Sequence, residues 1–170
     1  MDAVTALIGR ASAIRRSNID TDQIIPAVWM KRVERSGYED GLFQTWRNDP
    51  KFVLNQPERA DTTILVAGPN FGCGSSRQHA VWALRDWGIR AIISTQIADI
   101  HRTNLPNEGL IPVVASQETV DALMDAVDAN PEAEISIDVA SRTLSCVEAG
   151  LTDVSFSLDD AASVPASLTP

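Results

Sequence analysis

The clearest rhythm of apolar and polar positions lies in the middle of the chain. A short apolar run, Ile64-Leu-Val-Ala67, is followed by a glycine-rich turn, a helical stretch reaching Trp87 and a second run, Ala91-Ile-Ile93. A helical or irregular segment continues through Asn104, then Leu110-Ile-Pro-Val-Val114, then a helix from Gln117 to about Ala129. Short apolar runs alternating with helices predict βαβ units and a parallel sheet, hence an α/β fold. The helix after Ser116 has the strongest signature. Ser116 is a good N-cap, Val120, Leu123, Met124 and Val127 recur at helical spacing, and Asn130-Pro131 stops the run. Beyond it, residues 135–139 and 143–147 flank a short turn and residues 154–158 alternate, so the C-terminal third reads as β-structure.

Residues 20–60 have no such rhythm. Gly37, Gly41, Pro50 and Pro57 punctuate them among Trp29, Tyr38, Phe43, Trp46 and Phe52. This predicts a long, aromatic-anchored loop region with short helical turns, and loops of that length inside a domain are usually functional or partner-facing. With 170 residues, 44% hydrophobic and 22% charged, the chain has the size and composition of one globular domain. That domain is read as spanning residues 1–170, with the small, polar, proline-punctuated 161–170 as a frayed tail. No apolar run approaches the ~20 residues of a membrane helix. The opening MDAVTALIGR has neither a cationic stretch ahead of an apolar core nor a small-residue cleavage site, so a cytoplasmic protein without membrane contact is expected.

Charge refines the picture through its distribution. The net charge of −9 argues against nucleic acid as a partner, yet residues 1–102 hold 13 of the 14 Lys and Arg against 11 of the 23 Asp and Glu, a balance of +2. Residues 103–170 hold one Arg and 12 acids, a balance of −11. An anion site in the first two thirds is therefore compatible with an acidic whole. Cysteine adds a second bound. Cys73 and Cys146 are the only two, and His79 and His101 complete the soft or borderline metal ligands. A structural zinc or an iron–sulfur cluster wants about four such ligands at short spacings. No metal site is expected here, and any cluster chemistry belongs to another polypeptide.

The sharpest local feature is Gly68-Pro-Asn-Phe-Gly-Cys-Gly-Ser-Ser-Arg-Gln-His-Ala80. It follows a strand and opens a helix, and its glycines let backbone N–H groups approach a ligand closely. A helix N-terminus behind such a turn favours anions. Arg77 can grip a carboxylate with its fork, and Ser75 and Ser76 can donate to it or, deprotonated, act as a base. The same spacing has a purely structural reading, because Ser75 and Gln78 form the S-x-x-Q of a capping box. The segment has no Gly-Lys-Ser/Thr of a phosphate loop and no G-x-S-x-G elbow. Cys73 reads as a packed or site-lining thiol, and His79 as a satisfied structural histidine. A second anchor is Ser17-Asn-Ile-Asp-Thr-Asp-Gln-Ile-Ile-Pro26, whose Asp20-Thr21-Asp22 also reads as an Asx-type turn ahead of a strand end at Ile24-Ile25. Arg15, Arg16, Lys31, Arg32 and Arg35 surround it with positive charge.

Asn18-Ile-Asp-Thr-Asp-Gln-Ile-Ile-Pro26 together with Gly68-Pro-Asn-Phe-Gly-Cys-Gly-Ser-Ser-Arg77 and His79-Ala80 closely resembles the small subunits of the bacterial 3-isopropylmalate dehydratase family, within the aconitase superfamily. Gly37-Tyr-Glu-Asp-Gly-Leu-Phe43 and Trp46-Arg47 are similar too, so the likeness runs from about residue 14 to about 115. It implies the swivelling β/β/α domain found at the C-terminus of aconitase, and a large-subunit partner holding a [4Fe-4S] cluster whose iron binds the departing hydroxyl. By the same resemblance Ser75 is the base that removes the α-proton of a small dicarboxylate. Ser76, Arg77, Asp20, Thr21 and Asp22 bind that substrate, and Trp29, Met30, Lys31 and Arg32 form the loop that fits its variable group.

The sequence departs from the family pattern at four places. Gln78 stands where the family usually has Glu, and Trp29-Met30 replaces the usual Phe-Leu or Tyr-Leu. Ile100-His-Arg-Thr-Asn-Leu105 is closer to single-chain aconitase, and Leu158-Asp-Asp160 runs almost directly into the end. Three functions are expected in turn: isomerisation of 2-isopropylmalate in leucine biosynthesis; action on a related acid such as citraconate, a dimethylmalate, homocitrate or a specialised malate analogue; or a non-catalytic binding module on the same fold.

Overall fold

The apolar runs of the middle segment form the parallel strands they predict. The structure, a computed structural model, describes residues 6–31, 34, 36–74, 78–98 and 105–157. Strands β1 (Ala6–Ile14), β2 (Thr62–Ala67), β3 (Ala91–Ser94) and β4 (Ile111–Val114) run parallel. Strands β5 (Glu134–Asp138), β6 (Thr143–Cys146) and β7 (Leu151–Ser155) extend the sheet antiparallel from the other side of β1, in the order β4-β3-β2-β1-β5-β6-β7. The sheet curls far enough that Ser157, just after β7, exchanges two 2.8 Å backbone hydrogen bonds with Val114 at the β4 edge.

Strand β1 is the element that the pattern did not announce. Its sequence, ALIGRASAI, is poor in the β-branched and aromatic residues that favour strands, yet it pairs on both sides and stands at the junction of the two halves. Small side chains are what the position requires. A Cβ on Gly9 would lie 2.0 Å from Thr63 Oγ1 on β2.

Four α-helices lie among the described residues, besides short 3-10 turns: α1 (Thr21–Ile24), α2 (Gln44–Arg47), α3 (Gln78–Trp87) and α4 (Gln117–Ala129). Helix α4 has the predicted bounds, and Ser116 Oγ accepts from the Thr119 N–H at 3.2 Å. Its apolar stripe, Val120, Leu123, Met124 and Val127, packs on one face of the sheet against Ala11, Ala13, Ile64, Val66, Ile135 and Leu144. The opposite face of the parallel half is covered by α3 and by the 20–60 region, whose Ile24, Tyr38, Leu42 and Phe43 are fully buried against Leu65, Ala67 and Ile92. The 20–60 region is, as expected, a chain of short helical turns tied by aromatic contacts. Phe43 stacks on Trp46 at 5.6 Å, and the Arg47 guanidinium lies 4.9 Å from the centre of the Trp87 ring. Among the described residues no helix is long and apolar enough to cross a membrane.

Candidate active site at the carboxyl edge of the parallel strands

The loops that leave β1, β2 and β3 emerge at the carboxyl ends of parallel strands, the edge at which open α/β sheets hold ligands. Backbone hydrogen bonds lace them together. Asn18 N donates to Pro69 O at 2.9 Å, Gly72 N to Ile19 O at 2.7 Å and Thr21 N to Cys73 O at 2.9 Å, so Asp20 and Cys73 form a parallel bridge. The third loop joins through Asn70 N to Gln96 O at 2.8 Å and Ala98 N to Phe71 O at 2.9 Å. Ser94, at the end of β3, places its hydroxyl 2.9 Å from Gly68 O. The approach is close enough that a Cβ on Gly68 would sit 2.2 Å from the Arg16 carbonyl oxygen.

Asp20 builds this loop with its own side chain. Asp20 Oδ1 accepts from Gln23 N at 2.8 Å, and Gln23 Oε1 accepts from Asp20 N at 3.0 Å, a reciprocal capping box that starts α1. The strand end expected at Ile24-Ile25 is therefore replaced by a helical turn, with Ile25 extended only as its C-cap. Of the three residues expected to bind substrate here, Thr21 is buried, Asp20 is half-buried and Asp22 is exposed. Ser75, Ser76 and Arg77 lie outside the described residues, as do Arg32 and the 158–170 tail. The triplet is bracketed by Gly74, at φ +92°, and by Gln78, which opens α3.

In the loop expected to fit the variable group, Trp29 is held rather than free. Its Nε1 donates to Gln44 Oε1 at 3.0 Å and its ring is seated over Gly41, where a Cβ would lie 2.9 Å from the indole. Met30 and Lys31 are exposed, with Val28 beside them. His79 packs between Tyr38 (5.3 Å) and Trp82 (4.9 Å), and the Tyr38 hydroxyl donates to Glu34 O. The expectation of a satisfied histidine is corrected at one atom. Nδ1 of His79 is buried with no hydrogen-bond partner among the described residues.

Of the cations around this motif, Arg15 and Arg16 are engaged. Arg15 spans to α4, donating from Nε to Asp128 at 2.8 Å and from Nη2 to Asp125 at 2.9 Å, and these hydrogen bonds push its pKa up. Arg16 lies 4.4 Å over the Trp46 ring. Arg47 closes its own loop, donating from Nε to Leu42 O at 2.6 Å, and burial lowers its pKa. Two residues to which the sequence reading gave no role stand out. Asn18 (φ 55°) and Asn70 (φ 63°) are both left-handed, and Asn70 Nδ2 donates to Asn18 Oδ1 at 2.9 Å. The available signal was asparagine inside a turn, the residue after glycine that best tolerates that conformation.

Residues 1–118 match the family model of the aconitase C-terminal domain. The chain is 54% identical over 160 residues to the 3-isopropylmalate dehydratase small subunit of Streptomyces coelicolor, covering 94% of this chain and 80% of that one. It is 54% identical over 142 residues to the protein of the same name from Thermobifida fusca, covering 84% and 73%. The chain belongs to the 3-isopropylmalate dehydratase small-subunit family. The fold agrees. The crystal structure of 3-isopropylmalate dehydratase from Methanocaldococcus jannaschii superposes with a TM-score of 0.65 at 28% identity, over 89% of this chain and 81% of that one.

As a member of this family the chain has the α/β swivel-type fold expected from its motifs. Its thiols do not suit a cluster. Cys73 lies in the β2 loop and Cys146 is buried in β6, and among the described residues no three His, Cys, Asp or Glu side chains gather as metal ligands. Burial, then the Asp20 charge, pushes the Cys73 thiol up, and burial does the same for Cys146, so neither is poised as a nucleophile. Gln78, where the resemblance led to an expected Glu, meets a carboxylate. Gln78 Nε2 donates to Glu108 Oε2 at 3.3 Å, while Glu108 Oε1 accepts from Arg85 Nη1 at 2.6 Å. A glutamate at 78 would oppose Glu108 with like charge.

Proposed function

We propose that this chain is the small subunit of a heteromeric hydro-lyase that isomerises 2-isopropylmalate to 3-isopropylmalate by dehydration and rehydration, in the cytoplasm, as a step of leucine biosynthesis. The observation that carries this reading is the backbone bridge between Asp20 and Cys73. It brings the Asp20–Asp22 loop and the turn leading into Ser75 to one edge of the sheet. Family membership supports the reaction class, and the likeness to proteins named small subunits supports a large-subunit partner. On the resemblance of its motifs, the chain takes the proton-transfer and carboxylate-binding half of the site. The [4Fe-4S] group falls to that partner.

On this reading Ser75 removes the α-proton, and a serine alkoxide at that position is eased by the N-terminus of α3 and by Arg77. Ser76 and the Arg77 fork hold a substrate carboxylate. Asp22 is the exposed acid of its trio, while Asp20 caps α1 and Thr21 is buried. A second substrate has one observation in its favour. The indole of Trp29, seated on Gly41 and bonded to Gln44, makes a fixed wall in the loop that fits the variable group, which suits a related 2-substituted malate.

Purifying the chain with its iron–sulfur large subunit and assaying a panel of 2-substituted malates tests both readings. Turnover of 2-isopropylmalate above the other acids is expected, with turnover lost in Ser75→Ala and KM raised in Arg77→Lys. Full turnover in Ser75→Ala overturns the assigned base. Failure to recover an iron–sulfur subunit favours a non-catalytic module.

A further inference from the structure

The paired asparagines lie where the two functional loops meet. Asn18 follows β1 and precedes the Asp20–Asp22 motif by two residues; Asn70 follows β2 and precedes Ser75 by five. Between them run the bonds Asn18 N to Pro69 O and Gly72 N to Ile19 O, and Asn70 N is itself committed to Gln96 O on the third loop. Both residues hold φ near +60°, a left-handed conformation that disfavours residues other than glycine. Two such residues side by side, joined amide to amide at 2.9 Å, are over-determined by their surroundings. Glycine would serve the backbone at either position without that cost. What glycine lacks is the side-chain link.

We infer that the Asn18–Asn70 amide bond is a positioning device for the reaction, fixing the spacing between the substrate-binding loop after β1 and the turn that delivers the catalytic serine. This rests on the function proposed above. The backbone bonds set which residues face one another, and the amide pair fixes how far the β2 loop stands from the β1 loop at the exposed end of the ladder. A base must stand within hydrogen-bond reach of the proton it takes, whereas a guanidinium on a long side chain follows its carboxylate. Loosening the link therefore acts on turnover more than on substrate affinity.

The test is a double-mutant cycle of Asn18→Gly, Asn70→Gly and the double variant in the complete heteromeric enzyme, with Asn18→Asp as the conservative variant that keeps the acceptor. Each glycine variant should lower kcat by about tenfold with KM changed less than about twofold. The double variant should be no worse than either single one, because the second substitution removes nothing further. Asn18→Asp should retain most of the wild-type kcat. Melting temperature and large-subunit binding are measured alongside, since glycine tolerates the backbone at both positions. Wild-type kcat in the glycine variants, or losses that simply add, overturns the inference. So does a loss fully explained by weaker assembly. An inactive wild-type complex would instead count against the proposed function, which keeps the two failures apart.

Discussion

The two halves of the sheet share one strand and one supporting helix but solve different problems. From β1 to β4 the sheet is covered on both faces, and its strands β2 and β3 are continuous apolar runs, as parallel strands between two layers must be. From β5 to β7 one face packs on α4 while the other alternates outward. Glu134, Ser136 and Asp138 point away from the buried Ile135 and Ile137. On that outer face a shallow trough of about 520 Å³ is lined by Ile8, Ser136, Thr143, Ser145 and Asp153. The parallel half ends in irregular loops whose backbone groups are satisfied by one another, and the candidate site is built there. The antiparallel half is regular and acidic. Precise geometry is thus kept by loop-to-loop bonding at one end of a well-buried half, and the other half supplies support and surface.

The strongest way to break this division is to remove the shared support. Leu123 of α4 is fully buried against both halves. Leu123→Ala should cost about 2–5 kcal/mol, read as a lower denaturation midpoint. Turnover per folded complex should not change. A fall in kcat at full folding would show that α4 shapes the site as well as supporting it.

Two glycines sharpen the contrast next. The Cβ of Gly68→Ala meets backbone, the Arg16 carbonyl at 2.2 Å, and cannot be relieved without parting the loops. The Cβ of Gly9→Ala meets Thr63 Oγ1 at 2.0 Å, a side-chain atom that can rotate away. Gly68→Ala is therefore expected to cost about 1–3 kcal/mol and most of the activity. Gly9→Ala should cost less and leave kcat intact. Equal effects on kcat would erase the distinction between site loops and sheet.

How much of this was legible in the sequence follows the same division. The runs at 64–67, 91–93 and 110–114 and the helix Gln117–Ala129 were readable because burial on two faces, or on one helical stripe, leaves a strong pattern. Strand β1 was not, since a central strand pressed against Thr63 favours Gly, Ala and Ser over the residues that signal strands. The motifs around Asp20 and Gly68 marked a site, but nothing in either one told that they pair, because the Asp20–Cys73 bridge joins residues 53 apart. Asp20 shows the limit within a motif. Its D-x-x-Q spacing contained the capping box, and only the folded loop decides between that and a strand end.

Gln78→Glu probes the seam between α3 and the segment before β4. It places a second carboxylate at the 3.3 Å contact with Glu108, leaving Arg85 to neutralise both. Two like charges at that contact disfavour the doubly ionised pair relative to the unfolded chain, so the penalty, roughly 1 kcal/mol at neutral pH, shrinks as acidification neutralises one of them. Thermal melts of wild type and variant should converge on acidification. A gap that stays constant with pH would mean that Glu108 is not the cause of the departure.

The smallest effect concerns the link between the site loops and the shared helix. Arg15 reaches from the loop after β1 to Asp125 and Asp128 on the acidic helix, at 2.9 and 2.8 Å, but the side chains are 49%, 77% and 42% exposed. Exposed pairs of this kind contribute about 0.2–1 kcal/mol each, and salt screens them. Arg15→Ala should therefore lower stability by about 1 kcal/mol at low ionic strength and by less at high salt. Arg15→Lys should fall between, since a point charge meets one carboxylate at a time. In both variants kcat should stay at the wild-type value, because the Asn18–Pro69 and Thr21–Cys73 backbone bonds hold the loop without help from α4. If kcat instead fell with rising salt in the wild type and was low and salt-independent in Arg15→Ala, the shared helix α4 would be setting the site's geometry, and the separation between site loops and support would not hold.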